Sequence, residues 1–308
     1  MILQENIPFA TLGSFHIGGP VRFFCDAQST EEIIEVVSFA HERKLPIFVI
    51  GGGTNLLMRD EGFSGLIVRP SLNYIERDKN WIRVGAGIAI KNLLIFTTKH
   101  GLSGLEWAGG LPGTVGGAIR GNAGAFGGEI KDSISSVESF NTENGKVVMR
   151  NGNECEFGYR SSVFKAGGGR EIILAATFTL TPGDQDAMLR AINEKINYRN
   201  IHHPMEYPNV GSIFKNIPLS SIPERSRSEF EAVVKKDPFS VVPAAFLISE
   251  AGLKGIKRGG AMVSPKHPNF IVNNGHATAK DVRELMHVVK ESVEKKFSIV
   301  LEEEVMLV

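Results

Sequence analysis

The sequence has few cysteines, no excess of charge of either sign and no long apolar run. Its 308 residues include two cysteines, Cys25 and Cys155, and neither sits in a CxxC pair or a Cys/His cluster. This argues against a disulfide framework and against a metal site. The 34 basic and 34 acidic residues balance, so charge predicts no nucleic-acid or membrane partner. No apolar stretch approaches the ~20 residues of a membrane span, and the N-terminus lacks the regions of a secretory signal, so we expect a cytoplasmic protein.

Glycine is abundant, at 34 residues, and it is concentrated in two places. Residues 109–128 contain nine glycines and one charge, Arg120. Such a stretch is either an irregular surface loop or a wall that wraps a dinucleotide, because glycine lets backbone N–H groups approach a large polar ligand. Upstream, a predicted strand at 47–50 runs into GGGTN (51–55), a junction that suits phosphate binding. Neither stretch is a P-loop or a dinucleotide fingerprint.

Hydrophobic patterns along the chain favour an α+β fold over a doubly wound sheet, because strands and helices come in unequal clusters with hairpin signals. Capping-box signatures, Ser29 with Glu32 and Thr278 with Asp281, predict the starts of two helices. An aperiodic segment at 200–211 predicts a domain junction. Further elements are predicted as strands at 21–27, 65–68, 81–86, 155–164, 170–180, 270–273 and 298–308, helices at 89–99, 184–199 and 243–252, and a hairpin at 137–149.

Three short segments place polar side chains where apolar ones are expected. Arg160 lies in a predicted strand, a poor place for a charge without a partner or an anionic ligand. Ser212 follows a glycine and precedes an apolar pair, and three consecutive glutamates, 302–304, lie inside the predicted final strand. Taken singly, each has a plain alternative: a surface arginine, a turn serine and a solvated edge.

Together these segments resemble the UDP-N-acetylenolpyruvoylglucosamine reductase family, the flavoenzymes of peptidoglycan precursor synthesis, and its shorter subclass without an extra tyrosine-bearing loop. The resemblance runs in the family's order over nearly the whole chain. The matching segments are GGGTNLL (51–57), GLEWAGGLPGTVGGAIRGNAGAFG (104–127), FGYRSSVF (157–164), GSIFKN (211–216), AGLKGIKRGGAMVSPKHPNFIVN (251–273) and LEEEV (301–305).

The resemblance implies a pair of FAD-binding α+β subdomains, of the type shared with vanillyl-alcohol oxidase and p-cresol methylhydroxylase, and a third α+β domain that holds the substrate. Mapped onto this chain, the first subdomain is 1–72. The second is 73–200, completed by 298–308, and the substrate-binding domain is 201–297. The implied activity belongs to cell-wall biogenesis, and with it to cell shape, cell cycle and division.

The resemblance also implies non-covalent FAD, NADPH as co-substrate and a UDP-sugar substrate, with no obligate protein partner. Arg160 and Glu304 match the pair that stabilises an enolate-like intermediate after hydride reaches the vinyl carbon, and Ser212 matches the proton donor to C2. The substrate contacts implied are Tyr159, Lys215, Asn216 and His267. The cofactor contacts implied are Gly51, Gly52, Gly53, Thr54, Asn55, Leu56, Gly110, Pro112, Gly113, Thr114, Gly117, Asn122, Ala123 and Gly124.

Two other functions stay open at this point. A related flavin oxidoreductase of the same type, acting on another small molecule, would need neither GSIFKN nor the LEEEV tail. A non-catalytic flavin-binding module would keep the glycine loops and would not require Arg160, Ser212 and Glu304.

Overall fold

The computed structural model describes residues 2–236 and 239–308, which form two compact units. Unit 1 consists of the residues up to Ile7, Val21–Gly52 and Phe63–Asn197. Unit 2 consists of Pro8–Pro20, Gly53–Gly62 and Tyr198–Val308, with the gap at 237–238.

The described residues form both α-helices and short 3-10 helices. The α-helices are α1 Thr30–Glu42, α2 Ile90–Lys99, α3 Val115–Arg120, α4 Val163–Ala166, α5 Gln185–His202, α6 Glu224–Arg227, α7 Ala244–Glu250 and α8 Ala279–Phe297. The 3-10 helices are Phe9–Thr11, Glu106–Ala108, Ile130–Ser133, Asn153–Cys155, Leu219–Ser221 and Ser228–Val233.

Unit 1 contains a four-stranded sheet in which Pro20–Ala27 and Ile47–Val49 both pair in parallel with Phe63–Pro70. Leu3–Pro8 lies at the other edge, beside Pro20–Ala27. Helix α1 connects two of the parallel strands, and its first turn is capped by Ser29, which accepts a hydrogen bond from the Glu32 N–H. One stripe of α1 is buried against Leu66 and Val68, and it consists of Ile33, Val36, Val37 and Ala40.

The second sheet of unit 1 has five antiparallel strands. Their spatial order is Val147–Asn151, Ile134–Asn141, Glu171–Thr179, Trp81–Gly85 and Ile75–Asp78. Helices α2 and α3 pack on this sheet through a cluster of buried residues that includes Leu93 and Ile119. Two small antiparallel pairs complete the unit: Leu102–Ser103 with Thr181–Pro182, and Gly124–Ala125 with Gly128–Glu129.

Unit 2 is built around α8, whose apolar stripe faces small sheets and α7. A capping box of Thr278 and Asp281 starts this helix, and the Asp60 carboxylate also accepts hydrogen bonds from its first two N–H groups. The buried stripe consists of Val282, Leu285, Met286, Val289 and Val293. The strands of the unit are Leu56–Leu57, Ile217–Pro218, Lys235–Lys236, Ser240–Val242, Lys257–Arg258, Ala261–Val263, Ile271–Asn273 and Met306–Leu307.

The predicted α+β class is confirmed, as are both capped helix starts and the hairpin at 137–149. The strand predicted at 155–164 is wrong: Gly158 and Ser161 close a tight turn, and Phe164 is buried in the short helix α4. The final strand is shorter than predicted, because only Met306–Leu307 and a bridge at Glu303 find pairing partners. The three-part division at 72, 200 and 297 stays a prediction, and the structure places 298–308 in unit 2.

Candidate functional site

The first glycine segment begins where the strand Ile47–Val49 ends. The Ile50 N–H still donates to the Val68 carbonyl at 3.0 Å, and the chain then turns at Gly51. A Cβ at Gly51 would lie 2.6 Å from Oγ1 of Thr114. Only glycine lets the backbone pass this close to the second glycine segment.

The second glycine segment enters α3 through Thr114, whose Oγ1 accepts a hydrogen bond from the Gly117 N–H. The Val115 N–H donates to Ile88 and the Gly116 N–H to Ala86, both at 2.9 Å. The first N–H groups of α3 are therefore used inside unit 1. Of the predicted cofactor contacts in this stretch, Thr114 and Gly117 form the helix start, whereas Gly110, Pro112 and Gly113 lie in the loop before it.

After α3, the same segment holds the turn that carries Tyr159 and Arg160. Asn122 is fully buried, and its Nδ2 donates to the Gly158 carbonyl at 2.9 Å and to Glu129 at 3.1 Å. Arg160 donates from Nη2 to the Gly124 carbonyl at 2.9 Å. Gly124, a predicted cofactor contact, is thus hydrogen-bonded to Arg160, a predicted catalytic residue. Asn122, another predicted cofactor contact, uses its side-chain amide to bind Gly158 and Glu129.

Arg160 occupies a strained position. Its φ is +54°, in the left-handed region that residues with a Cβ seldom adopt. Mutual backbone hydrogen bonds between Gly158 and Ser161, both 3.1 Å, hold the turn, and Lys165 donates from Nζ to the Arg160 carbonyl. The guanidinium lies 5.2 Å from the centroid of the Tyr159 ring. Backbone strain kept by this many contacts is typical of functional positions.

In unit 2, Ser212 lies at the entry to a short extended segment. Gly211 has a φ of +79°, and its N–H donates to Oδ1 of Asn209 at 3.0 Å, which fixes a bend just before the serine. Ile213 and Phe214 follow and are 0% and 1% exposed. Ser212 itself is half-buried. The bend and the buried pair hold the backbone of Ser212 from both sides.

The glutamates near the C-terminus pair with the same segment. The Glu304 N–H donates to the Ile213 carbonyl at 2.8 Å, and Phe214 forms an antiparallel bridge with Glu303. Ion pairs hold the neighbouring side chains: Lys290 with Glu303 at 2.7 Å and Lys215 with Glu302 at 2.9 Å. Ile213 therefore connects the two residues: Ser212 precedes it in the chain, and Glu304 is hydrogen-bonded to its carbonyl.

Asn55 links the first glycine segment to Glu304 within unit 2. Its Nδ2 donates to the Glu304 carbonyl at 3.0 Å, and its own carbonyl accepts from the Met306 N–H. Leu56–Leu57 then pairs in parallel with Met306–Leu307. Gly52, Gly53 and Thr54, predicted to contact the cofactor, directly precede this link.

The predicted substrate contacts of unit 2 differ in their surroundings. Lys215 is ion-paired with Glu302, and Asn216 accepts from the Ala244 N–H at the start of α7. His267 packs its ring 4.8 Å from Phe270 and 5.2 Å from His203, and its buried Nδ1 has no hydrogen-bond partner among the described residues. Burial, followed by the charge of Lys235, lowers the pKa of His267 to about 4.

Sequence analysis missed two buried polar residues at the site. Asn269 is 3% exposed and bonds the Ile213–Phe214 pair, and Glu129 is 5% exposed and bonds Asn122. Each is a single polar residue next to apolar residues, and its spacing matches no ligand-binding motif. The sequence pattern therefore gave little indication that either residue is buried and hydrogen-bonded.

The two glycine segments suit a flavin dinucleotide by their chemistry. Residues 51–55 and 109–128 contain no Asp or Glu, and their one charge is the Arg120 cation. Burial lowers the pKa of Arg120. Main-chain amides outside the start of α3, hydroxyls and a cation are the kinds of donor that a diphosphate requires. FAD therefore fits these residues.

Within the described part of the chain, no three His, Cys, Asp or Glu side chains are grouped to hold a metal ion. A search of the same residues finds no helix with the length and apolarity to cross a membrane.

Comparison with known proteins gives matches over nearly the whole chain. The family model described as the C-terminal domain of UDP-N-acetylenolpyruvoylglucosamine reductase matches residues 203–308, and that of an FAD binding domain matches residues 21–150. The UDP-N-acetylenolpyruvoylglucosamine reductase of Carboxydothermus hydrogenoformans is 42% identical over 299 residues, which cover 96% of this chain and 91% of the relative. That of Lachnoclostridium phytofermentans is 37% identical and covers 98% of this chain and 92% of the relative.

Among solved structures, the crystal structure of the UDP-N-acetylenolpyruvylglucosamine reductase from Thermus caldophilus is similar over 99% of both chains. Its TM-score is 0.78, with 32% sequence identity.

Proposed function

The chain belongs to the UDP-N-acetylenolpyruvoylglucosamine reductase family, and on that premise we propose that it reduces UDP-N-acetylglucosamine enolpyruvate to UDP-N-acetylmuramate with NADPH. It is an FAD enzyme of the reduction step in peptidoglycan precursor synthesis. The chemistry that bound FAD would supply is hydride transfer, from NADPH to the terminal vinyl carbon of the substrate. The residues that would hold FAD are the predicted contacts of the two glycine segments: residues 51–56, Gly110, Pro112, Gly113, Thr114, Gly117, Asn122, Ala123 and Gly124.

Hydride addition to the vinyl carbon leaves negative charge on C2 and the attached carboxylate. Arg160 suits that charge because its guanidinium is permanently cationic and can bind a carboxylate through two N–H donors. Its turn is held by hydrogen bonds with Asn122, Gly124 and Lys165. We assign it the binding and stabilisation of the carboxylate, with Tyr159 as its neighbour in the turn.

The reaction is completed by a proton on C2, and we assign its delivery to Oγ of Ser212. A serine hydroxyl is a weak acid, so it donates only to a strongly basic carbon such as this one. The bend at Gly211 and the buried Ile213–Phe214 pair fix the backbone from which the hydroxyl is presented. Such fixation favours delivery to one face of C2 and therefore one configuration of the lactyl product. Glu304 is assigned the proton-sharing acid beside this charge, because a carboxyl group stabilises an anion by donating a hydrogen bond to it.

The observation that carries this proposal is the pairing of Gly211–Asn216 with the tail that contains Glu304. Both segments lie within residues 203–308, the range matched by the reductase C-terminal model. A flavin oxidoreductase for another small molecule would not need this pair of segments, and neither would a flavin-binding module without catalysis. Lys215, Asn216 and His267 stay predicted substrate contacts.

Stopped-flow flavin absorbance tests the role of Ser212 by separating the two half-reactions. For Ser212→Ala we expect NADPH to reduce the flavin within about twofold of the wild-type rate, and reoxidation by the enolpyruvyl substrate to slow by at least ~100-fold. Ser212→Cys, which keeps a proton donor, should recover part of the rate. Ser221→Ala is the matched control, because the Ser221 hydroxyl lies on an exposed turn and donates to the nearby Pro218 carbonyl.

The outcomes separate the residue role from the function. Equal slowing of both half-reactions in Ser212→Ala would show that Ser212 is not the proton donor. If the wild-type protein gives no UDP-N-acetylmuramate from the enolpyruvyl substrate and NADPH, the proposed reaction itself is wrong. In D2O the proposed reaction places a solvent deuterium at C2, which proton NMR detects as the loss of the C2–H signal of the product.

A further inference from the structure

Asn269, a buried residue outside the predicted site, forms hydrogen bonds with the two residues that follow Ser212. Nδ2 of Asn269 donates to the Phe214 carbonyl at 2.8 Å, and Oδ1 accepts from the Phe214 N–H at 3.0 Å. The backbone carbonyl of Asn269 also accepts from the Ile213 N–H at 2.8 Å. The side-chain amide thus pairs with Phe214 as a neighbouring strand would, and both of its polar atoms are used.

The opposite edge of the same segment is paired with the tail. Glu304 donates to the Ile213 carbonyl, and Lys215 donates to the Glu302 carbonyl at 2.9 Å. Residues 213–215 therefore lie between Asn269 and the tail and are hydrogen-bonded along both edges. The Ile213 and Phe214 side chains are also buried. Ser212 directly precedes these residues, which are hydrogen-bonded to Asn269 on one edge and to the tail on the other.

We infer that Asn269 is a positioning residue for Ser212, acting through Ile213 and Phe214; this rests on the proposed function of Ser212. A proton donor must lie within hydrogen-bond reach of the carbon it protonates, and a misplacement of ~1 Å can cost about 100-fold in rate. Removal of the Asn269 amide leaves the buried N–H and carbonyl of Phe214 without partners. The segment then has to shift to satisfy them, and Ser212 shifts with it.

Asn273 offers a matched control on the same stretch of chain. It is also buried, and its side chain forms three hydrogen bonds, to Phe15, Gly275 and Ala277, compared with the two that the Asn269 side chain forms. None of these partners belongs to residues 211–216. Asn269→Ala and Asn273→Ala therefore remove comparable buried hydrogen bonds from the same unit, and only the first touches the Ser212 segment.

Stopped-flow measurement on the FAD-loaded full chain tests the inference. For Asn269→Ala we expect reoxidation by UDP-N-acetylglucosamine enolpyruvate to slow by about 10- to 100-fold. Flavin reduction by NADPH and the concentration of substrate giving half-maximal rate should change less than about threefold. Asn273→Ala should lower the melting temperature similarly and keep the reoxidation rate. Asn269→Ser, which retains one hydrogen-bonding group in a smaller side chain, gives the same test at a smaller cost in stability.

A double variant shows whether Asn269 acts through Ser212. Ser212→Ala with Asn269→Ala should be reoxidised no more than about threefold more slowly than Ser212→Ala alone, because two residues acting at one step are not additive. If the rate loss of the double variant equals the product of the losses of the two single variants, the inference is overturned. Equal losses of reoxidation rate in Asn269→Ala and Asn273→Ala would also overturn it. If wild-type protein is not reoxidised by the substrate at all, the proposed function fails first. If wild type and Ser212→Ala behave as expected, a normal rate in both Asn269 variants refutes this inference alone.

Discussion

At the scale of the residue, two neighbouring imidazoles in unit 2 are held uncharged by their surroundings. The rings of His203 and His267 lie 5.2 Å apart, and Phe270 packs against both. Burial lowers the pKa of His203 to about 3, and the nearby charges of His267, Arg199, His202 and Lys266 act in the same direction. Burial likewise lowers the pKa of His267 to about 4, with Lys235 and His202 adding to the effect.

These depressed pKa values predict that the protein loses stability in mild acid. In the unfolded chain a histidine titrates near ~6.5, so between about pH 6.5 and pH 4 the unfolded state binds more protons. The free energy of unfolding therefore falls as the pH is lowered through that range. Each imidazole contributes about 2 kcal/mol of this loss between pH 7 and pH 5.

Substitution of one imidazole should reduce the acid sensitivity. We expect His203→Gln to lose about 2 kcal/mol less than wild type between pH 7 and pH 5 in urea unfolding followed by circular dichroism. His287→Gln is the control, because His287 is exposed on α8 and paired with Glu291. Parallel stability losses in wild type and His203→Gln would show that His203 is not buried in its neutral form.

At the scale of the element, local patterns predicted helices better than they predicted pairing. Thr278 with Asp281 marked the start of α8 because a capping box is written in four consecutive residues. The strand predicted at 155–164 failed because alternation cannot reveal the turn that Gly158 and Ser161 close. The candidate site residues came from a family resemblance. The hydrogen bonds between Asn269 and Phe214 join positions 55 residues apart. No local sequence pattern predicts such a contact.

One element-scale prediction concerns the contact between the strand end at Gly51 and the start of α3. Gly51→Ala places a methyl group 2.6 Å from Oγ1 of Thr114, so either the loop or the helix cap must move. We expect a loss of about 1–3 kcal/mol in stability and at least a tenfold rise in the dissociation constant of FAD, measured by flavin fluorescence.

Gly121→Ala is the matched control for that substitution. Gly121 lies at the C-terminal end of the same helix, has a φ of −92°, and a Cβ there would be 3.7 Å from the nearest atom, the Gly117 carbonyl oxygen. It should bind FAD as wild type does. Equal losses of FAD affinity in the two variants would show that the Gly51–Thr114 contact has no special part in cofactor binding.

At the scale of the whole molecule, unit 2 is assembled from three separated parts of the chain. Phe15, Ile17 and Leu57 are 1–3% exposed and belong to the same apolar core as the stripe of α8. Periodicity assigned helices and strands within each part, but it contains no information about which parts share a core. The junction predicted at 200–211 therefore locates a change in sequence pattern. It does not reveal that residues 8–20 and 53–62 belong to the same unit as the C-terminal third.

This discontinuity predicts that residues 203–308, the range of the C-terminal family match, do not fold alone. The isolated segment lacks the three core side chains, the Phe15 carbonyl that bonds Asn273, and the Asp60 carboxylate that caps α8. Loss of one buried phenylalanine side chain typically costs 3–5 kcal/mol, which approaches the whole stability of a small domain. We expect the 203–308 fragment to show no cooperative thermal transition and no near-ultraviolet circular dichroism. The full chain with Phe15→Ala should still unfold cooperatively, at lower temperature. A fragment with protected amides in α8 by hydrogen exchange would mean that the N-terminal parts are accessories to an independently stable core.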